Sequence, residues 1–379
     1  MSYKSMVVGC IMATLCALLV TWMLIPDAPQ LSLPVESAGS QPALSAHKIG
    51  VFYYPGWRDD TPLSPSRQPW EVIKPYPERE PLAGWYRDGD PQVMQQQINW
   101  MHQAGLNFVV FDWYWKNDNR VYLDHALEAY LAAPNRNSLE FSILWANHFD
   151  TPDSLETFDR MVDVWIQRYL SHPGFLRVNG KPVVFVFSSH ELDKDAAKFG
   201  SSGASLLMRA EERARREGLK GIYFVAGTPS DEPGAARWAG AGSGYSAISA
   251  YNLHTLPGAA HSSHSYEELD QAYRSNWKRY QSFGSLPVIV PMSSGWDNRP
   301  WGGSKWDPAH DQSVSTPDAF EAHLRAGLDA MTLSAGGASL GVICCWNEFG
   351  EGSFIEPTKL HGTAYIDRVR KVFSPANHN

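Results

Sequence analysis

Cysteine is scarce and unevenly placed. Cys10 and Cys16 lie in an apolar N-terminal run, and Cys344 and Cys345 are adjacent. Neighbouring residues of a strand point to opposite faces, so neither pair suggests a disulfide framework, and the body must stand on its own core. Charge is sparse too: Asp, Glu, Lys and Arg make up 19% of the 379 residues, with a net charge of −8 and no long run of one sign. That balance excludes an electrostatic nucleic-acid binder. The sequence lacks an N-x-[ST] sequon, a G-x-G-x-x-G turn, a Walker sequence and an HExxH. Dinucleotide, nucleotide-phosphate and zincin signatures are therefore missing, and no metal or other cofactor is expected. No internal repeat is evident.

One long hydrophobic run stands apart. Met6 to Ile25 is uninterrupted, preceded by Lys4 and closed by Pro26. Twenty residues are enough to cross a bilayer as a helix. Residues 1–25 read as a signal anchor, with a signal peptide as the alternative, and Lys4 puts the body outside the cytosol. Residues 26–47, rich in Pro, Ser and Ala, read as a linker. Residues 48–379 form the folded domain, so membrane contact is expected through the N-terminal segment only.

In that body, β-rich runs alternate with amphipathic stretches. Strands are expected at 49–54, 107–112, 139–145, 182–187, 220–225, 245–250, 286–290 and 340–346. Near-continuous apolar runs suit parallel strands buried on both faces. Helix starts are expected at Asp90-Pro91, Thr151-Pro152, Ser265 with Glu268, and Thr316-Pro317. The Arg209–Arg216 basic run reads as a solvated helix face. Eight strand–helix units predict an α/β fold, a (β/α)8 TIM barrel, rather than a doubly wound sheet.

Aromatics are abundant: 15 Trp, 16 Tyr and 16 Phe. Barrel sites form at the C-terminal strand ends. There the chain carries Tyr53, Tyr54 and Trp57; Asp112, Trp113, Tyr114 and Trp115; Trp145, Asn147 and His148; Tyr251, Asn252 and His254; Trp296, Asp297, Arg299 and Trp301; and Trp346, Asn347, Glu348, Glu351 and Glu356. Rings beside carboxylates and amides suit a sugar: ring faces cover its C–H surface and polar groups bind its hydroxyls. Tyr53, Tyr54, Trp57, Asp112, Trp113, Trp115, Trp145, Asn147, His148, Tyr251, Asn252, Trp296, Trp346, Asn347 and Glu356 are the substrate-binding candidates. The expected partner is an oligosaccharide or polysaccharide. His254, His261 and His264 share a polar loop without metal-ligand spacing.

Strand-eight alternation places Val342, Cys344, Trp346 and Glu348 on one face. Glu351 follows between Gly350 and Gly352. Two close carboxyls, partly buried, raise the pKa of one and provide an acid and a base at the same pH.

The run WNEFGEGSFIEP (346–357), with FYYPGW (52–57), PLAGWY (81–86), DPQV (90–93), FDWYW (111–115) and WANH (145–148), resembles glycoside hydrolase family 99 and its relatives. These relatives include the WbsX-type proteins of polysaccharide clusters, often called glycosyltransferases. The resemblance implies a (β/α)8 barrel and retaining endo-cleavage of α-mannosides without metal or cofactor. It also implies that Glu348 is a base on the sugar's own 2-hydroxyl, forming a 1,2-anhydro sugar, and that Glu351 is the acid/base. The hydrolases carry Trp-His between the two glutamates, where this chain has Phe349-Gly350, closer to the WbsX-like branch. A glycosyltransferase and a non-catalytic glycan-binding barrel are the alternative readings.

Overall fold

The computed structural model describes residues 47–58, 68–229, 234–284, 286–333 and 339–374. The expected anchor and nearly all of the linker lie outside the described residues. Among the described residues, no helix is long and apolar enough to cross a membrane.

Eight parallel strands form the centre: β1 (His47–Tyr53), β2 (Phe108–Lys116), β3 (Glu140–Trp145), β4 (Lys181–Val186), β5 (Tyr223–Gly227), β6 (Ala247–Ser249), β7 (Val290–Ser293) and β8 (Ser339–Cys344). Their order is β6-β5-β4-β3-β2-β1-β8-β7. The ring closes where Ile248 of β6 bridges Val288, just before β7, with Ile248 N donating to Pro287 O at 3.1 Å and Ile289 N to Ile248 O at 3.0 Å. This is a nearly closed TIM barrel. All eight expected strands are present, although the seventh, expected at 286–290, begins only at Val290 and runs to Ser293. The second runs four residues further than expected, because its end pairs antiparallel with Arg120–Tyr122.

The outer layer comprises α1 (Pro91–Gln103), α2 (His125–Ala132), α3 (Leu155–Trp165), α4 (Ser189–Lys198), α5 (Gly203–Arg216), α6 (Tyr266–Ser282), α7 (Pro317–Thr332) and α8 (Ala364–Phe373). Asp90, Ser265 and Thr316 cap α1, α6 and α7 as expected, each side chain accepting a first-turn N–H. The cap of α3 is Ser154, not Thr151, and Thr157 N donates to its hydroxyl. The basic face of α5 is not merely solvated. Arg209 and Arg213 form ion pairs with Asp159 and Asp163 of α3.

Strand alternation divides the core in two. Phe52, Phe108, Val110, Leu144, Val183, Phe185, Val225, Leu340 and Val342 fill the barrel. Val51, Tyr53, Val109, Phe111, Trp113, Trp115, Phe141, Ile143 and Trp145 pack outward among the helices. In that layer Trp165 of α3 meets Trp113 and Trp145 edge-on, both at 5.6 Å between ring centroids. Trp165→Ala leaves a void between strands and helices, and is expected to lower stability by roughly 3–5 kcal/mol in a urea titration. Trp145→Leu is expected to lower stability without altering ligand binding at the barrel mouth.

Candidate active site

A cleft of about 650 Å³ opens at the barrel mouth. Its lining includes eight of the expected site residues: Tyr54, Asp112, His148, Tyr251, Asn252, Trp296, Glu348 and Glu351. Parity puts Asp112 there. It shares the inward phase of Phe108 and Val110, and Tyr114 follows it into the same cleft.

The same parity corrects several expectations. Tyr53, Trp113, Trp115 and Trp145 occupy the outward phase and are core residues. Trp346 also lies in the outer layer, although Val342 and Cys344 face inward. The alternation breaks at Cys344–Cys345, which are joined by a disulfide across a cis peptide bond. The two cysteines therefore do not point to opposite faces. Trp57 stacks between Trp70 (4.2 Å) and Trp301 (6.1 Å) behind the cleft wall.

Asn147 and Asn347 are clamps at strand ends rather than cleft residues. Asn147 bonds both backbone groups of Ser188, donating to its O at 2.8 Å and accepting from its N at 2.9 Å. Asn347 does the same with Tyr54, at 3.0 and 2.9 Å. Each amide continues the sheet where strand pairing stops. Glu356 is 2% exposed and sits behind the wall, accepting from Tyr86 Oη at 2.6 Å. Burial pushes its carboxyl up to about 8.

The glutamate loop is built tightly. Glu351 N donates to Glu348 O at 3.1 Å, and Asp297 N to Glu351 O at 2.6 Å. Gly350 lies flat against Trp301, where a Cβ would come within about 2.0 Å of the indole. That glycine makes room for the indole. Gly352 takes a left-handed φ of 69°. Arg79 underpins the loop: buried in the segment after β1, it donates to Phe349 O at 2.6 Å and Asp297 O at 3.0 Å and pairs with the Asp297 carboxylate.

Three carboxyls face the cleft with no Lys or Arg among the described residues lining it. Burial raises Glu348 well above its ordinary range, and the neighbouring Glu351 and Asp112 charges raise it further. Glu351 is pushed up to about 7 by burial, tempered by a hydrogen bond from Asn252. Burial raises Asp112 strongly as well. Tyr251 Oη reaches Asp112 Oδ2 at 3.0 Å and Glu348 Oε1 at 3.2 Å, tying two of them together. Asp112 Oδ1, Glu351 Oε2 and Asn252 Oδ1 are buried without a partner, three acceptors awaiting donors.

The rim contributes residues that reading strand ends missed. Phe149 is 55% exposed and stacks on Tyr122 at 5.7 Å; Trp306 is 70% exposed. Both line the cleft, with Phe187 below. They lie on loops or a hairpin beyond the strand ends, where sequence period carries no signal. His254 turns into the cleft beside Trp296, at 4.1 Å. It leaves His261 and His264, which meet Asp307 instead.

The family model described as glycosyltransferase WbsX matches residues 75–369. The uncharacterized protein WxcX of Xanthomonas campestris pv. campestris is 22% identical over 318 residues, covering 77% of this chain and 43% of that protein. The chain thus spans under half the length of the curated relatives it matches. Among solved structures, the GH99 endo-alpha-mannosidase of Bacteroides thetaiotaomicron has a TM-score of 0.61 at 16% identity, covering 85% of this chain and 95% of that one. A glycoside hydrolase-like protein has a TM-score of 0.63 at 14% identity, covering 92% and 98%. At these identities the structural likeness is one of fold. The family match, spanning most of the chain, identifies it as a member of the WbsX glycosyltransferase family.

Proposed function

We propose that the protein is a glycoside hydrolase that cleaves internal α-linked, mannoside-like glycan bonds with retention. The observation that carries this reading is the pair Glu348 and Glu351, buried together at the mouth of the barrel with raised pKa values and unsatisfied acceptors beside them. Glu351, poised near neutrality, suits the acid/base role: it protonates the leaving oxygen and later takes a proton from water. Glu348 acts as base on the sugar's 2-hydroxyl. Burial favours its protonated form in the empty cleft, and a hydroxyl donating to it shifts that balance toward the carboxylate. Tyr54, Tyr251, Asn252 and His148 hold the sugar, and Trp296 with the exposed rim rings covers its C–H faces.

A transferase using a sugar nucleotide is the second reading, favoured by the family description. It needs partners for a diphosphate. The cleft supplies carboxyls and no Lys or Arg among the described lining residues, which favours the hydrolase. We further propose that the domain works outside the cytosol, tethered by residues 6–25. A disulfide at Cys344–Cys345 suits an oxidising compartment. Deleting residues 1–25 is expected to move the protein from the membrane fraction to the soluble one; unchanged fractionation rejects the tether.

The decisive experiment incubates residues 47–379 with α-mannan, α-glucan and bacterial surface oligosaccharides and reads products by mass. Internal-cleavage products are expected, and Glu351→Gln is expected to lower the rate roughly 10²–10⁴-fold. A full rate in Glu351→Gln, or sugar transfer from a nucleotide donor, rejects the reading. Burial raises both carboxyls, so below about 7 the empty cleft holds two protons and Glu348 lacks its basic form; kcat/KM is expected to rise as pH climbs toward about 7 and to fall only above it, when the last proton of the pair is lost.

Glu356 gives a separate prediction for stability. Its folded pKa of about 8 exceeds the ordinary glutamate value of 4.5, so between the two the folded state holds a proton that the unfolded chain has released. Stability tied to that proton is complete below about 4.5 and is lost as pH rises toward 8. Relative to wild type, Glu356→Gln should therefore gain stability across that window, by at most about 1.4 kcal/mol per pH unit in denaturant titrations.

A further inference from the structure

The loops after β6 and β7 bring together side chains that glycan chemistry does not use. His261 and His264 come from the first loop, Asp307 from the second. One ligand atom from each lies within 4.8 Å of the others. His264 Nε2 is 2.9 and 3.0 Å from the two Asp307 oxygens. The imidazoles of His261 and His264 are 4.4 Å apart and nearly parallel, at 25°. Asp307 is held in place by Ser262 N, which donates to Oδ2 at 3.1 Å. His261 Nδ1 lies 2.7 Å from Ser262 O, which leaves Nε2 open as its ligand atom.

We infer that His261, His264 and Asp307 form a binding site for a first-row divalent transition metal, with zinc the closest chemical match. Two imidazoles and one carboxylate are a borderline donor set, which suits zinc, cobalt or nickel better than calcium or magnesium. Ligands about 2.0–2.1 Å from a tetrahedral zinc stand about 3.4 Å from each other. His264 Nε2 and Asp307 already stand within that separation, so the approach falls to His261, by about an ångström. His261, exposed to solvent, has the rotamer freedom to do this. A fourth position stays open to water.

The site is apart from the glutamates but joined to the cleft by the chain. Trp306, next to Asp307, lines the cleft, and Ser263 N donates to His254 O at 2.9 Å. A metal here ties the loop after β6 to the loop after β7. Cross-linking two loops in this way stabilises the folded state by metal linkage. The two histidines carry no metal-ligand spacing of their own, because their carboxylate lies 43 residues on, in the loop after the next strand.

The test uses the full chain, stripped of metal and titrated with zinc chloride by calorimetry. Cobalt(II) is added in parallel, with its visible spectrum as a second readout. One saturable zinc per chain is expected, with a metal-dependent rise in Tm and a cobalt band of tetrahedral intensity. His261→Ala and His264→Ala should each weaken zinc at least tenfold, while His102→Ala, at an exposed site elsewhere, should not. His261 is exposed, so its variant should keep the metal-free Tm, which separates lost binding from lost folding. No saturable binding, or equal binding by wild type and both loop variants, overturns the inference. Glycan cleavage is not part of the readout, so the outcome is independent of the proposed hydrolase.

Discussion

The buried ion pair of Arg79 and Asp297 holds the barrel mouth together. Arg79 comes from the segment after β1, Asp297 from the loop after β7, and the carbonyl of Phe349 that Arg79 also binds from the loop after β8. Three segments distant in sequence thus converge on one guanidinium. A buried charge without its partner is costly, by roughly 3–5 kcal/mol when one side is removed, so this junction allows little slack. Asp297 N in turn binds the carbonyl of Glu351. The two glutamates are fixed from behind by a pair that never enters the cleft.

That arrangement separates the charges of the mouth into two zones. Behind the wall, the Asp297 carboxylate has Arg79 and Arg299. Inside the cleft, Asp112, Glu348 and Glu351 have only hydroxyl and amide neighbours. Placing positive charge one layer back fixes the backbone without neutralising the acids. Their raised pKa values follow from burial, with repulsion from neighbouring carboxyls adding to it at Glu348 and Asp112.

The fold was legible because parallel strands, buried on both faces, leave uninterrupted apolar runs. All eight were visible in that way, and so was the glutamate loop. The rings were misjudged for a specific reason. Trp113, Trp115 and Trp145 sit at strand ends, but a strand end has two faces, and their neighbours Asp112, Tyr114 and Leu144 hold the inward one. Counting in twos from Phe108 along β2 separates the first two, and the inward Leu144 beside it in β3 separates Trp145. No such count could place Trp346, because the disulfide-linked Cys344–Cys345 step breaks the phase. Nor could it reveal Phe149 or Trp306, which belong to loops, or show that the Asn147 and Asn347 amides are spent on backbone.

The positions of the exposed rings have a consequence of their own. Phe149 follows β3 and Trp306 follows β7, strands that stand half a turn apart around the barrel. A ligand touching both would lie along a diameter of the mouth, passing over Asp112 and the two glutamates, so the two rings set a direction across the cleft that the carboxyls alone do not.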